Sequence, residues 1–120
     1  MVKNYTFEND VVLKLNGVDF SFDSTDFEIL ENIEKFAEES ESKAIEAQKN
    51  EDVIGAIKGA TEYVLEAIDS ILGEGASEKI WENKKVSLNQ AVGVINHISE
   101  EVIKVRKEAF NRFSPDRLKR

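Results

Sequence analysis

The chain has 120 residues, a mass of 13.6 kDa, no cysteine, one histidine and a formal net charge of −8 at pH 7. The lack of cysteine excludes disulfides and thiolate metal sites, and a single histidine excludes a metal site built from several imidazoles. The acidic balance argues against capture of nucleic acid by the whole domain. Because no apolar run approaches 18 residues, the sequence predicts a soluble, cytoplasmic protein with no membrane segment.

The first 23 residues have the pattern of a β-hairpin. Residues 11–15 and 18–22 form two strand-like runs, and the second alternates apolar and polar side chains as a half-buried strand does. The residues between them, Asn16 and Gly17, tolerate the positive φ angles of a type I′ turn. A two-stranded hairpin is marginal alone in water, so we expect it to lie against a helix or to pair with another chain. Residues 5–7 are a candidate third strand.

Two long helices are predicted after the hairpin. The first begins within residues 24–26, which are all candidate N-caps, and ends near residue 50, with glutamates on its polar face. The second contains Gly55 and Gly59 in its interior and ends at Gly73. Each interior glycine costs about 1 kcal/mol relative to alanine. The pair therefore indicates either close packing of another helix against this face or simply a weak helix.

A short helix within residues 76–83, which contains Ile80 and Trp81, and a long fourth helix are predicted next. The fourth helix opens at Ser87, where Gln90 three residues later completes a capping box. Its apolar side chains recur at steps of three and four residues, as in a coiled-coil seam: Leu88, Ala91, Ile95, Ile98, Val102, Val105, Ala109 and Phe113. The predicted fold is mainly α, with a small N-terminal β-hairpin followed by a bundle of three long helices and one short helix.

These elements predict a single domain over residues 1–113, with the hairpin in 1–23 and the helices in 24–113, followed by a flexible basic tail at 114–120. Charge is distributed unevenly along this chain. Residues 104–120 hold seven basic and two acidic groups, a net of +5, so the other 103 residues carry −13. The basic end either complements the dipole of the last helix or is a docking tail for an acidic partner or a neighbouring subunit.

The sequence offers no constellation of residues typical of catalysis. His97 has Glu100 and Glu101 three and four residues downstream, which is a weak and open metal set, and a surface histidine in a local ion pair is the simpler interpretation. The many carboxylates fall on the polar faces of predicted helices, whereas acid–base catalysis needs a partly buried pair. We therefore predict no catalytic, cofactor or metal site and no enzymatic activity.

The apolar stripes indicate instead a protein that binds another polypeptide, because a small bundle can leave one groove open for a partner helix. Trp81 is the best single anchor for a partner, since tryptophan is enriched at interface hot spots, but a core plug over the neighbouring helices is the favoured alternative. The candidate partner-binding residues are Trp81, Ile80, Ile95, Ile98, Val102, Phe110 and Arg112.

The order of elements resembles the tail assembly chaperones of long-tailed bacteriophages that infect Gram-positive bacteria. The resemblance covers nearly the whole chain in layout and is specific over residues 71–90, which read ILGEGASEKIW and then, before the last helix, VSLNQ. Two features depart from the family pattern. Family members often have phenylalanine where this chain has Trp81, and a glycine near Asn83 and Lys84.

The resemblance implies that the protein binds the helical tape measure protein, helps to recruit major tail protein, acts in the host cytoplasm and is absent from the mature virion. It also implies that a longer, frameshifted form can exist. The alternative is a small helical structural or adaptor protein that forms a homo-oligomer in a larger assembly. An unpaired hairpin edge and the attraction between the basic end and the acidic body favour that alternative.

Overall fold

The computed structural model describes residues 2–113. Two strands, β1 (Val11–Leu15) and β2 (Val18–Phe22), are followed by four helices. The helices are α1 (Phe27–Lys49), α2 (Val53–Leu72), α3 (Ala76–Trp81) and α4 (Leu88–Phe113). The predicted fold class, a β-hairpin followed by three long helices and one short helix, is confirmed. The predicted tail at 114–120, and the predicted end of the last helix at Ser114-Pro115, lie outside the described residues.

The hairpin forms as its sequence predicts. Leu15 pairs with Val18 across a two-residue turn, in which Asn16 and Gly17 have φ angles of 50° and 86°. The inward side chains of β1 are buried, and β1 packs against α4. The side-chain amide of Asn16 also donates a hydrogen bond to the carbonyl of Ile80 at 2.7 Å, which ties the turn to α3. The hairpin thus lies against helices, as predicted, because an isolated two-stranded hairpin is only marginally stable in water.

The prediction of a third strand at residues 5–7 is wrong. Within residues 2–113 the sheet has two strands, and residues 2–9 form an exposed arm without strand pairing. Tyr5 and Phe7 contact each other edge to face, with ring centroids 5.7 Å apart, but both rings remain exposed to solvent. The arm pairs with neither edge of the hairpin despite its strand-like composition, so composition alone overestimated its order.

Side-chain caps define the ends of α1 and α2. Asp26, one of the three candidate N-caps, accepts hydrogen bonds from the backbone N–H groups of Glu28 and Ile29. Asp52 caps α2 in the same way through the N–H of Gly55 at 3.0 Å. Gly73 follows the last residue of α2 with φ of 115°, a conformation that favours glycine.

The two glycines inside α2 are not sites of close helix packing. A Cβ atom added at Gly59 would meet no other atom within 4 Å. A Cβ atom at Gly55 would collide with the carboxylate of Asp52, the N-cap of the same helix. Gly55 therefore leaves room for the side chain of the cap. Gly59 has no such role and simply weakens the helix, which is the second of the two interpretations that the sequence allowed.

The core lies between the hairpin, the second half of α2, α3 and the first 15 residues of α4. Its buried apolar side chains come from all of these elements: Val11, Leu13, Leu15, Phe22, Val64, Ile68, Ile71, Ala76, Ile80, Trp81, Ala91, Ile95, Ile98 and Val102. No residue of α1 is fully buried. The radius of gyration is 17.6 Å, whereas a compact domain of this length has one of about 14 Å. Parts of the long helices consequently extend beyond the core.

A candidate partner-binding groove between the helices

The structure buries most of the residues that the sequence proposed as a partner surface. The proposed residues that lie in the core are Ile80, Trp81, Ile95, Ile98 and Val102. Their assignment as partner contacts is corrected, because the stripe on α4 is already covered by α2, α3 and the hairpin of the same chain. Phe110 and Arg112 are exposed on the last turns of α4. Of the proposed residues, Phe110 and Arg112 therefore remain on the surface, and the buried Ile95 also forms part of the wall of the groove described below.

Trp81 is a core plug, as the favoured interpretation of its sequence position predicts. Its side chain is 7% exposed, and its indole N–H donates to the side-chain oxygen of Gln90 at 3.1 Å. The same oxygen accepts the backbone N–H of Ser87 at 3.3 Å, and the hydroxyl of Ser87 accepts the N–H of Gln90 at 3.1 Å. The predicted capping box is thus confirmed, and it also satisfies the buried indole.

An open apolar groove lies between α1, the first half of α2 and the start of α4. Its volume is about 630 Å³, within the range of ligand pockets, which runs from about 300 to 1,000 Å³. The residues that line it are mostly apolar or small: Phe36, Ser40, Glu41, Lys43, Ala44, Ala47, Gln48, Asn50, Val53, Ala56, Ile57, Ala60, Tyr63, Val64, Leu88, Val92, Ile95 and Asn96. Val53, Ile57 and Val92 remain exposed although they face this groove.

The groove exists because α1 has too little apolar volume to cover α2. The first half of α1 places Ile29, Leu30, Ile33 and Phe36 against the core. In its second half, alanines 44 and 47 are the apolar residues that line the groove, opposite Val53 and Ile57 of α2. Small side chains on one wall and larger ones on the other leave an unfilled channel rather than a packed interface.

An aromatic pair lines one part of the groove. The rings of Phe36 and Tyr63 are stacked with centroids 5.5 Å apart, and the Lys43 ammonium lies 5.8 Å from the centre of the Tyr63 ring. Burial raises the pKa of the Tyr63 hydroxyl above its ordinary value, and the nearby carboxylate of Glu39 raises it further. The groove thus combines an apolar lining with negative charge close to its aromatic part.

The surroundings of the groove are acidic. Helix α1 contains seven glutamates and three lysines, and the connection to α2 adds Glu51 and Asp52. The charged residues of the lining itself are Glu41 and Lys43, which balance each other. Residues 36–66, which supply most of the lining, hold eight acidic and three basic groups, a net of −5, and this charge favours a ligand with apolar side chains flanked by positive ones.

A second, more polar hollow of about 610 Å³ lies between the hairpin turn, α3 and α4. Lysines 14, 84 and 85 and His97 line it, but Lys14 and Lys84 each pair with a carboxylate at 3.8 Å. Among residues 2–113, no three His, Asp or Glu side chains are grouped so as to hold a metal ion. Over the same residues, no helix is long and apolar enough to cross a membrane.

The groove could have been anticipated from one signal in the sequence. Apolar residues of α2 begin at its first position, with Val53, Ile54 and Ile57, whereas the part of α1 that precedes them along the chain has a single large apolar residue, Ile45. Two antiparallel helices joined by a short connection place these stretches side by side. A mismatch of this kind predicts apolar surface left open near the connection.

Comparison with known proteins places the chain in one family. No curated protein and no solved structure matches it. The profile of DUF6673, described as a family of unknown function, matches residues 16–120. The match begins in the hairpin turn, so the exposed arm and β1 lie outside it. Because the matched region covers most of its length, the chain belongs to the DUF6673 family of unknown function.

Proposed function

We propose that this protein is a non-enzymatic assembly chaperone that binds an amphipathic helix of another polypeptide in the groove between α1, α2 and the start of α4. One observation carries the proposal: the groove is apolar, open and unfilled, with Val53, Ile57 and Val92 exposed along it. Exposed apolar surface that is gathered in a concave site, rather than scattered singly, is typical of a binding surface.

The dimensions of the groove suit a helix. Val53 and Val64, which both line it, are eleven residues apart on α2, a distance of about 16 Å along the helix axis. A partner helix laid along this length presents about three turns, and so an apolar series at positions i, i+3 or i+4, and i+7. The acidic surroundings favour lysine or arginine beside that series. The expected ligand is therefore an amphipathic helix with basic flanks.

The resemblance to tail assembly chaperones supplies the identity of the partner in this proposal. The bound helix belongs to the tape measure protein, whose apolar stripes the chaperone covers until major tail protein is recruited around it. The chaperone acts in the host cytoplasm and does not remain in the finished virion. A net charge of −8 keeps the loaded complex soluble.

The experiment is co-expression of the full chain with a helical fragment of the tape measure protein. The proposal expects the fragment to be soluble and to co-purify with the chain at a fixed ratio. Ile57→Glu, which places a charge inside the groove, is expected to abolish co-purification. If the fragment is equally insoluble with and without the chain, the proposal is refuted.

A matched variant controls for charge and folding. Ile54 lies three residues before Ile57 on the same helix and is 69% exposed, against 47% for Ile57, but it does not line the groove. Ile54→Glu adds the same charge to the same helix, so co-purification is expected to persist. Equal loss in both variants would show that added charge on α2, rather than the groove, accounts for the effect.

A further inference from the structure

The last turns of α4 have the chemistry that the groove favours. Residues 104–113 contain four basic groups and one acidic group, a net of +3. Ile103 and Phe110 are 43% and 56% exposed, and their spacing of seven residues places them on one face of the helix. Arg106 and Lys107 lie between them on either side of this face. The end of α4 is thus a basic amphipathic helix with uncovered apolar side chains.

The last aromatic residue of the described chain adds to this surface. Phe113 is exposed, and its ring centroid lies 5.8 Å from that of Phe110. Aromatic rings left in solvent at a helix end bury large areas when a partner covers them. A partner that covers the end of α4 would therefore be held by the burial of these apolar side chains.

This helix end cannot reach the groove of its own chain. The residues of α4 that line the groove run from Leu88 to Asn96. Phe110 is fourteen residues beyond Asn96 on the same continuous helix, a distance of about 21 Å along its axis. Because a helix holds its two ends apart, the groove of one molecule and the basic end of that molecule are separate surfaces that stay available to other molecules.

We propose that, in the free protein, the groove of one molecule takes the end of α4, residues 103–113, from a second copy of this chain. Apolar side chains of the incoming helix lie on Val53, Ile57 and Val92, and its basic groups meet the glutamates of α1. This inference rests on the proposed function only in using the same groove. A helix of the partner protein and the end of α4 from a second copy would compete for that groove.

The contact joins two different surfaces and is therefore head to tail. Such contacts build open chains, or rings if the rotation closes, rather than closed two-fold dimers. Opposite charges on the two surfaces make the association sensitive to salt, with a dissociation constant that rises with ionic strength. The groove and the helix end are both exposed in the single chain, so variants in either surface are expected to fold.

The test is sedimentation velocity of the full chain over a range of concentrations at low salt, with two complementary variants. Ile57→Glu removes the groove and leaves the helix end, whereas Phe110→Glu removes the helix end and leaves the groove. Each variant alone is expected to be a monomer. An equimolar mixture is expected to form a 1:1 pair that grows no further, because one intact groove meets one intact helix end.

Several results would overturn the inference. These are a wild-type chain that is monomeric at every concentration, variants that associate like the wild type, and a mixture that stays monomeric. Ile54→Glu is the control and should associate like the wild type, and far-UV circular dichroism verifies that each variant folds. If Phe7→Ser abolished association and Phe110→Glu did not, the exposed arm rather than the end of α4 would be the segment that binds the groove, and the inference would be wrong.

The outcome is separable from that of the proposed function. A monomeric chain that still solubilises a tape measure fragment through Ile57 would refute self-association and leave the chaperone proposal intact. A chain that associates head to tail but leaves every fragment insoluble would do the reverse. Adding a tape measure fragment to the associated wild-type chain is expected to dissociate the assembly, since the fragment and the end of α4 compete for the same groove.

Discussion

The glycines of α2 permit a quantitative test of the structure at the helix that forms the groove. At Gly59, an alanine Cβ meets nothing within 4 Å, so Gly59→Ala gains only helix propensity. The free energy of unfolding should rise by about 0.5–1 kcal/mol. At Gly55, the same Cβ would lie 2.9 Å from the carboxyl carbon of Asp52 and displace the cap. Loss of the cap costs about 1 kcal/mol, so Gly55→Ala should be close to neutral.

A double-mutant cycle separates the two contributions at Gly55. In the background Asp52→Ala the cap is already absent, so Gly55→Ala should recover its full gain of about 1 kcal/mol. The coupling energy between positions 52 and 55 is therefore about 1 kcal/mol, whereas that between 52 and 59 is close to zero. Urea unfolding followed by circular dichroism measures all of these variants. A destabilising Gly59→Ala, or a Gly55→Ala whose effect does not depend on residue 52, would refute this account of α2.

Three further predictions concern the core, the hairpin and the groove. Trp81→Ala should lower the free energy of unfolding, measured by urea titration, by about 3–5 kcal/mol because the indole is buried in the core. A loss below about 1 kcal/mol would contradict the assignment of Trp81 as a core plug. Ser24→Ala removes a fully buried hydroxyl hydrogen-bonded to a carboxylate at 2.7 Å and should cost about 1–2 kcal/mol by the same assay, whereas Thr25→Ala, at an exposed site, should cost under about 0.5 kcal/mol. With Tyr5→Phe leaving Tyr63 as the single tyrosine, ultraviolet titration should give a pKa above the ordinary value of about 10, and a midpoint at or below it would contradict the burial.

The elements of this fold that depend on local chemistry could be predicted from the sequence. The turn at Asn16 and Gly17 and the capping box of Ser87 and Gln90 involve residues close in the chain, and the structure shows both as expected. Hydrophobic periodicity likewise located the helices, because burial of one face follows from side-chain spacing. The arm at residues 5–7 did not form a strand, since pairing requires a neighbouring edge that local composition does not reveal.

The candidate site was harder to predict because burial is a long-range property. Ile95, Ile98 and Val102 form an apolar stripe in the sequence whether a partner or the chain itself covers it. Periodicity identifies the stripe but not the surface opposite, which here comes from α2 and the hairpin. Val53 and Ile57 look equally core-like in sequence and become a groove only because the facing part of α1 carries small side chains.

Methyl NMR of the full chain, with and without a helical fragment of the tape measure protein, tests whether the groove is the binding site. The methyl resonances of Val53, Ile57 and Val92 should shift on binding, while those of Ile54 and the buried Ile98 should change little. Strong shifts confined to other surfaces, with the groove methyls unchanged in a formed complex, would contradict the assignment of the groove as the binding site.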